Sequence, residues 1–167
     1  MACLGVLFSL NEKEVKKLKS FKSDEDRLEH LQEEIEETYF EKYPDKVAEL
    51  DKSWDALHRS LTDGKLEWEN GTFPLNHVIL AGELLYSEDD YIMSLKTPEQ
   101  VNQIAEAVEK VTEDNLRKGY NQIDVKEYGF ELSDEDFEYT WQWFNSSKEF
   151  WKKASQEKRY VLFTADQ

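Results

Sequence analysis

The sequence predicts an α+β fold: a helix-rich single domain over residues 1–167, with a small mixed sheet that includes strands from both chain termini. Three observations lead there. Residues 3–10 (CLGVLFSL) and 159–164 (RYVLFT) are near-continuous apolar runs of strand length. They lack the alternation of a half-exposed strand, so both are expected to be covered on two faces. Capping signals and helical periodicity fill most of the chain between them. At 167 residues the chain has the length of one domain, enough to bury about 70% of its unfolded surface without disulfides or metals.

After the first strand, Asn11 and Glu14 form a capping box that starts a short helix with Val15 and Leu18 inward. Lys13, Lys16, Lys17, Lys19 and Lys22 make it the one basic stretch. Ser23 and Asp26 open a second helix, with Leu28, Leu31, Ile35 and Tyr39 at helical spacing. The rest of that helix is acidic, and its apolar stripe is narrow, so it is expected to lie on the surface. Pro44-Asp45 is read as opening a third helix, buried through Val47, Leu50, Trp54, Leu57 and Leu61 and ended by Asp63-Gly64. Residues 65–73 alternate up to Asn70-Gly71, which reads as a small hairpin or a structured loop. Pro74 to Gly82 is apolar, helix or strand. Tyr91 to Leu95 reads as a short strand. Thr97-Pro98-Glu99-Gln100 is a strong helix start, and Thr112 caps a further short helix. Ser133 with Asp136 opens the last helix, to about Ser155. Phe137, Trp141, Phe144 and Trp151 gather on one side of it, beside Tyr139, Trp143 and Phe150, an arc wide enough to place this helix centrally.

Composition narrows the function. Asp plus Glu number 37 against 21 Lys plus Arg, a formal net charge of -16, and the pI is near 4.6. Nucleic-acid binding needs a basic footprint, and so does docking on an anionic leaflet, so neither nucleic acid nor membrane is an expected partner. Aromatic residues at 13% separate this acidic folded domain from an acidic disordered tail. The lone Cys3 forms no intramolecular disulfide and fits a reducing compartment. Without a basic segment before the short apolar start, no signal peptide is read, and a cytoplasmic location is expected. No apolar run approaches the roughly 20 residues of a membrane helix.

Several segments together resemble a known family. They are Met1-Ala2-Cys3-Leu4-Gly5-Val6-Leu7, Leu50-Asp51-Lys52-Ser53-Trp54-Asp55-Ala56-Leu57-His58 with Leu61-Thr62-Asp63-Gly64, Leu95-Lys96-Thr97-Pro98-Glu99-Gln100-Val101, Leu116-Arg117-Lys118-Gly119-Tyr120, and Phe150-Trp151-Lys152-Lys153-Ala154 before the final strand. In this order they resemble the YfbM-like family of small bacterial proteins of unknown function. The resemblance covers nearly the whole chain, and Asp-Lys-x-Trp-x-x-Leu-His is its most specific part. It implies an α+β bacterial domain and carries no reaction with it. The sequence departs from the family pattern at Gly82-Glu83, where two glycines are usual, and at Asn121, where Asp is usual.

Two candidate surfaces follow. The first is a small-molecule or enzymatic site around Asp51, Lys52, Trp54, Asp55 and His58, in which Asp55, three residues before His58, would orient the imidazole as a general base. Asp51 lies about 10 Å from His58 along a helix axis, beyond direct contact. The leading reading of His58 itself is a helix-capping or core-edge histidine bonded to a backbone carbonyl. The second is the acidic face carrying Glu29, Glu33, Glu36 and Glu37, suited to a basic protein partner; an immunity-type inhibitor covering a basic toxin or nuclease is one version, and a DNA-mimicking surface is another. Cys3 is expected to be buried and inert, and His30 solvated on the acidic face. The clusters Asp24-Glu25-Asp26, Glu88-Asp89-Asp90 and Asp134-Glu135-Asp136 lack the spacing of a calcium loop. No metal site and no cofactor is expected, no phosphate-binding or hydrolase motif is present, and oligomeric state is open. A non-enzymatic protein-binding role leads.

Overall fold

The computed structural model describes residues 3–167. Met1 and Ala2, part of the segment that carries the family resemblance, lie outside the described residues. The chain forms β1 (Gly5–Leu10), α1 (Glu12–Ser20) and α2 (Asp24–His30), which runs on through a π-helical turn (Leu31–Glu36) into α3 (Glu37–Lys42). Then come β2 (Val47–Asp51), α4 (Trp54–Leu61), β3 (Glu83–Leu84), β4 (Tyr91–Lys96), α5 (Pro98–Lys110), α6 (Glu113–Tyr120), α7 (Val125–Tyr128), α8 (Asp134–Gln156) and β5 (Tyr160–Asp166). The sheet order is β2-β1-β5-β4-β3. The two terminal strands are its centre, paired from Gly5↔Ala165 to Leu10↔Tyr160. All its pairings are antiparallel, so the sheet is not the mixed one expected.

Both faces of the sheet are covered, which explains why β1 and β5 read as unbroken apolar runs. On one face Leu7, Ala48, Leu50, Val161 and Phe163 meet α4, α5, α6 and α8. On the other, Phe8, Leu10, Met93, Leu95 and Leu162 lie under α1 and the α2–α3 helix. That helix buries Leu31, Ile35 and Tyr39 and exposes Glu29, Glu33 and Glu37, as its narrow stripe predicted. The long α8 packs on α4, α5, α6 and β2 and buries Phe137, Phe144, Phe150 and Trp151.

The helix expected from Pro44 is instead a 3-10 turn (Pro44–Lys46), then β2, then α4. Val47-Ala48-Glu49-Leu50-Asp51 alternates with Ala48 and Leu50 inward, and hydrogen bonding to β1 fixes it as a strand. The spacing of Val47, Leu50, Trp54 and Leu57 imitated a helix because a strand and a helix meet there with their buried sides aligned. Asp51 closes the strand at φ 52°, a left-handed conformation that Asp tolerates better than most residues. Residues 65–73 form an irregular loop without strands. The apolar stretch from Pro74 contains a short 3-10 turn (Leu75–His77) and leads at Gly82 into the edge strand β3. β1 begins at Gly5, so Cys3 precedes it and is half-buried rather than part of a buried strand.

A carboxylate cleft where the helical cover ends

His58 is fully buried. Its Nε2 lies 2.8 Å from Asn70 Oδ1. The Asn70 amide nitrogen donates to Thr62 Oγ1, Asp63 Oδ1 and the Lys65 carbonyl, so its oxygen faces the histidine and Nε2 is the donor. Among the described residues Nδ1 has no hydrogen-bond partner. Burial pushes the imidazole pKa below its usual value, which keeps the ring neutral. Asp55 does not orient it: the Asp55 carboxylate accepts from Arg59 Nε at 2.6 Å. Trp54 is buried against Phe163, with ring centroids 5.7 Å apart, and its indole N–H donates to the Cys3 carbonyl at 2.7 Å. Lys52 is exposed, and its backbone N–H donates to Asp51 Oδ1. The structure therefore separates the group Asp51, Trp54 and His58: the last two serve the core, and Asp51 alone borders a cavity.

That cavity, of about 250 Å³, lies at the end of the sheet where the α2–α3 layer stops. Antiparallel pairing brings the start of β1 (Gly5, Val6), the end of β5 (Thr164, Asp166), the start of β4 (Tyr91) and the end of β2 (Glu49, Asp51) to this one edge. Gln32 and Glu36 from the π turn and Phe40 from α3 form the opposite wall. Among the described residues four carboxylates line the cleft, and no Lys, Arg or His does. Among the described residues none of the four is in a salt bridge with a basic side chain. Glu36, placed by the sequence on the outer acidic face, turns inward, half-buried, and accepts from Tyr91 OH at 3.1 Å. Burial raises its pKa, and the nearby Asp166 adds to the rise. Asp51 Oδ1 accepts from Tyr139 OH at 2.5 Å. Burial and that hydrogen bond push the phenol up to about 12. Phe40 stands 43% exposed at the rim. No three His, Cys, Asp or Glu side chains among the described residues converge to hold a metal ion.

The sequence singled out Glu36 and Asp51 but missed Glu49, Asp166, Phe40 and Tyr91, which only the strand pairing brings together. It also missed Lys96. This side chain is fully buried on β4 with no carboxylate partner. Its ammonium donates to the Ile79 carbonyl (2.6 Å), the Ser94 carbonyl (3.2 Å) and Ser94 Oγ (3.0 Å). Ser94 Oγ in turn donates to the Leu80 carbonyl. Lys96 thus pins the segment before β3 to the sheet, and burial lowers its pKa well below the ordinary lysine value. His30 is not free on the acidic face but packs on Phe21, with ring centroids 4.9 Å apart.

The arrangement defines an α+β domain with an antiparallel sheet, helices on both faces and an acidic cleft at one sheet end. The chain belongs to the family described as domain of unknown function (DUF1877), whose model matches residues 1–164. Its fold is similar to that of YfbM, a protein of unknown function from Escherichia coli. That crystal structure shares 18% sequence identity at a TM-score of 0.65, over 97% of this chain and 99% of that one. No curated protein matches the chain. No helix among the described residues is long and apolar enough to cross a membrane.

Proposed function

We propose that this protein is a non-enzymatic binding domain that holds a basic protein partner against the cleft of Glu36, Glu49, Asp51 and Asp166, with Glu29, Glu33 and Glu37 as an outer electrostatic guide. The observation that carries the reading is a cleft that, among the described residues, has four carboxylates and no cation, beside an exposed phenyl ring. An incoming guanidinium or ammonium would find carboxylate acceptors and an aromatic face in one place. An inhibitor that covers a basic enzyme is one form such a partnership takes. The acidic outer face speeds encounter and makes it salt-sensitive.

The test immobilises the full chain and compares retention of basic proteins at low and high salt, with the Glu36→Gln, Glu49→Gln, Asp166→Asn variant alongside. The expected result is a basic protein held at low salt, released by salt, and held about tenfold or more weakly by the variant. If nothing is retained at low salt, or if the variant retains as much as the parent, the reading fails.

A further inference from the structure

The carboxylate cleft is not isolated. It shares Tyr91 with a second hollow of about 480 Å³, bordered by Asp24, Tyr86, Glu88, Asp89 and Gln167. That hollow shares Trp68 and Leu84 with a third, of about 200 Å³, bordered by Glu69 and His77. A groove therefore runs from Phe40, past Tyr91, to the outer edge of the sheet at β3. There Trp68 and Leu84 lie 43% and 46% exposed. The Leu85 N–H donates inward to the Met93 carbonyl at 2.9 Å, and Glu83 and Leu84 pair with Leu95 and Ser94. Antiparallel alternation then turns the Leu84 N–H and C=O away from β4, toward the free edge. Among the described residues the one cation along the second hollow, Arg27, directs its guanidinium at the carbonyls of Leu18, Lys19, Phe21 and Leu85. Glu69, Glu88 and Asp89 make no salt bridge among the described residues.

We infer that the partner presents an extended, lysine- or arginine-bearing segment, which lies along this groove and adds a short strand to the free edge of β3; this rests on the reading of a basic protein partner. An extended chain offers backbone groups to Leu84, whereas a helix has already spent its own. Apolar side chains on one face of such a segment settle on Trp68 and Leu84, and cationic ones meet the acidic rim. A second copy of this chain is disfavoured as occupant, because symmetric pairing at β3 sets the same carboxylates against each other.

The test uses full-length protein and fluorescent peptides of alternating Lys and Val, read by anisotropy at low salt. One peptide is unmodified and one is N-methylated at alternate residues, which blocks strand pairing without touching the protein. A Glu/Val peptide is the charge control. The inference expects the unmodified Lys/Val peptide to bind, the Glu/Val peptide not to, and N-methylation or Trp68→Ala to weaken binding about tenfold or more. Trp68 is exposed, so its loss leaves folding intact, and the N-methylated peptide gives the same answer on unaltered protein. If the Lys/Val peptide fails to bind, or binds equally with N-methylation and with Trp68→Ala, the inference is overturned. Retention of a basic protein that depends on Glu36, Glu49 and Asp166 then still stands as the broader reading.

Discussion

Lys96 places an amine where water does not reach and no carboxylate compensates it. Its depressed pKa means that the unfolded chain binds the proton more readily than the folded one. Stability contributed at this site is therefore lowest below the folded pKa and rises with pH through the interval between that pKa and the ordinary value of 10.5. The difference in unfolding free energy between the parent and Lys96→Met should climb with pH there, by up to about 1.4 kcal/mol per unit, and level off above it. Urea unfolding of both proteins between neutral and alkaline pH measures this, and parallel curves refute it. At His58 the sign is the same, in a lower pH window. Its lowered pKa keeps the buried ring neutral, so its contribution is full above the unfolded value near 6.5 and declines as pH falls below it. Replacing His58 with Ala removes the bond to Asn70 and leaves a cavity, a loss of about 3 kcal/mol. The loop of residues 65–73 should exchange its amide protons faster as a result, and unchanged exchange would show that the loop does not depend on His58.

Helices α4 and α6 approach so closely that a Cβ on Gly119 would stand 1.9 Å from the Ser60 carbonyl oxygen. Alanine normally improves a helix over glycine by about 1 kcal/mol. Here the sign reverses, because the obstacle is backbone that no rotamer change can move. Gly119→Ala should lose about 3 kcal/mol, at the upper end of overpacking costs, with a lower urea midpoint and an unchanged slope. A stabilised Gly119→Ala protein would contradict the packing. Elements whose rules are local were legible in the sequence. The capping boxes at Asn11 and Thr97 form as read, with Glu14 and Gln100 reaching back, and the two apolar termini pair at the sheet centre. β2 was not legible, because its partner β1 lies some forty residues earlier and local spacing favoured a helix over the same residues. The cleft was half legible for the same reason. Glu36 and Asp51 stand in patterned segments, but Glu49, Tyr91 and Asp166 become neighbours only once four strands take their order. Lys96 closed a strand that the sequence ended at Leu95, and nothing local marks a lysine for the interior.

At the scale of the whole molecule, the charge of -16 acts on the fold and on its partner in opposite directions. Carboxylates outnumber cations, and many of them, including those of the cleft, have no basic partner among the described residues, so the folded chain repels itself more than the expanded unfolded one. Raising ionic strength from about 0.01 M to about 1 M shortens the Debye length from about 30 Å to about 3 Å. The protein alone should gain about 1 kcal/mol from this screening, a rise of about 3 °C in midpoint. Attraction to a basic partner is screened by the same salt and weakens. Release of a partner at high salt therefore cannot be attributed to unfolding, since the fold is firmest where binding is poorest. Neutralising Glu29, Glu33 and Glu37 to Gln on the exposed face of the α2–α3 helix should act like salt on both counts: a higher thermal midpoint and a slower association with the partner. A stabilised variant with undiminished association would assign the outer face to solubility and leave partner binding to the cleft and the groove.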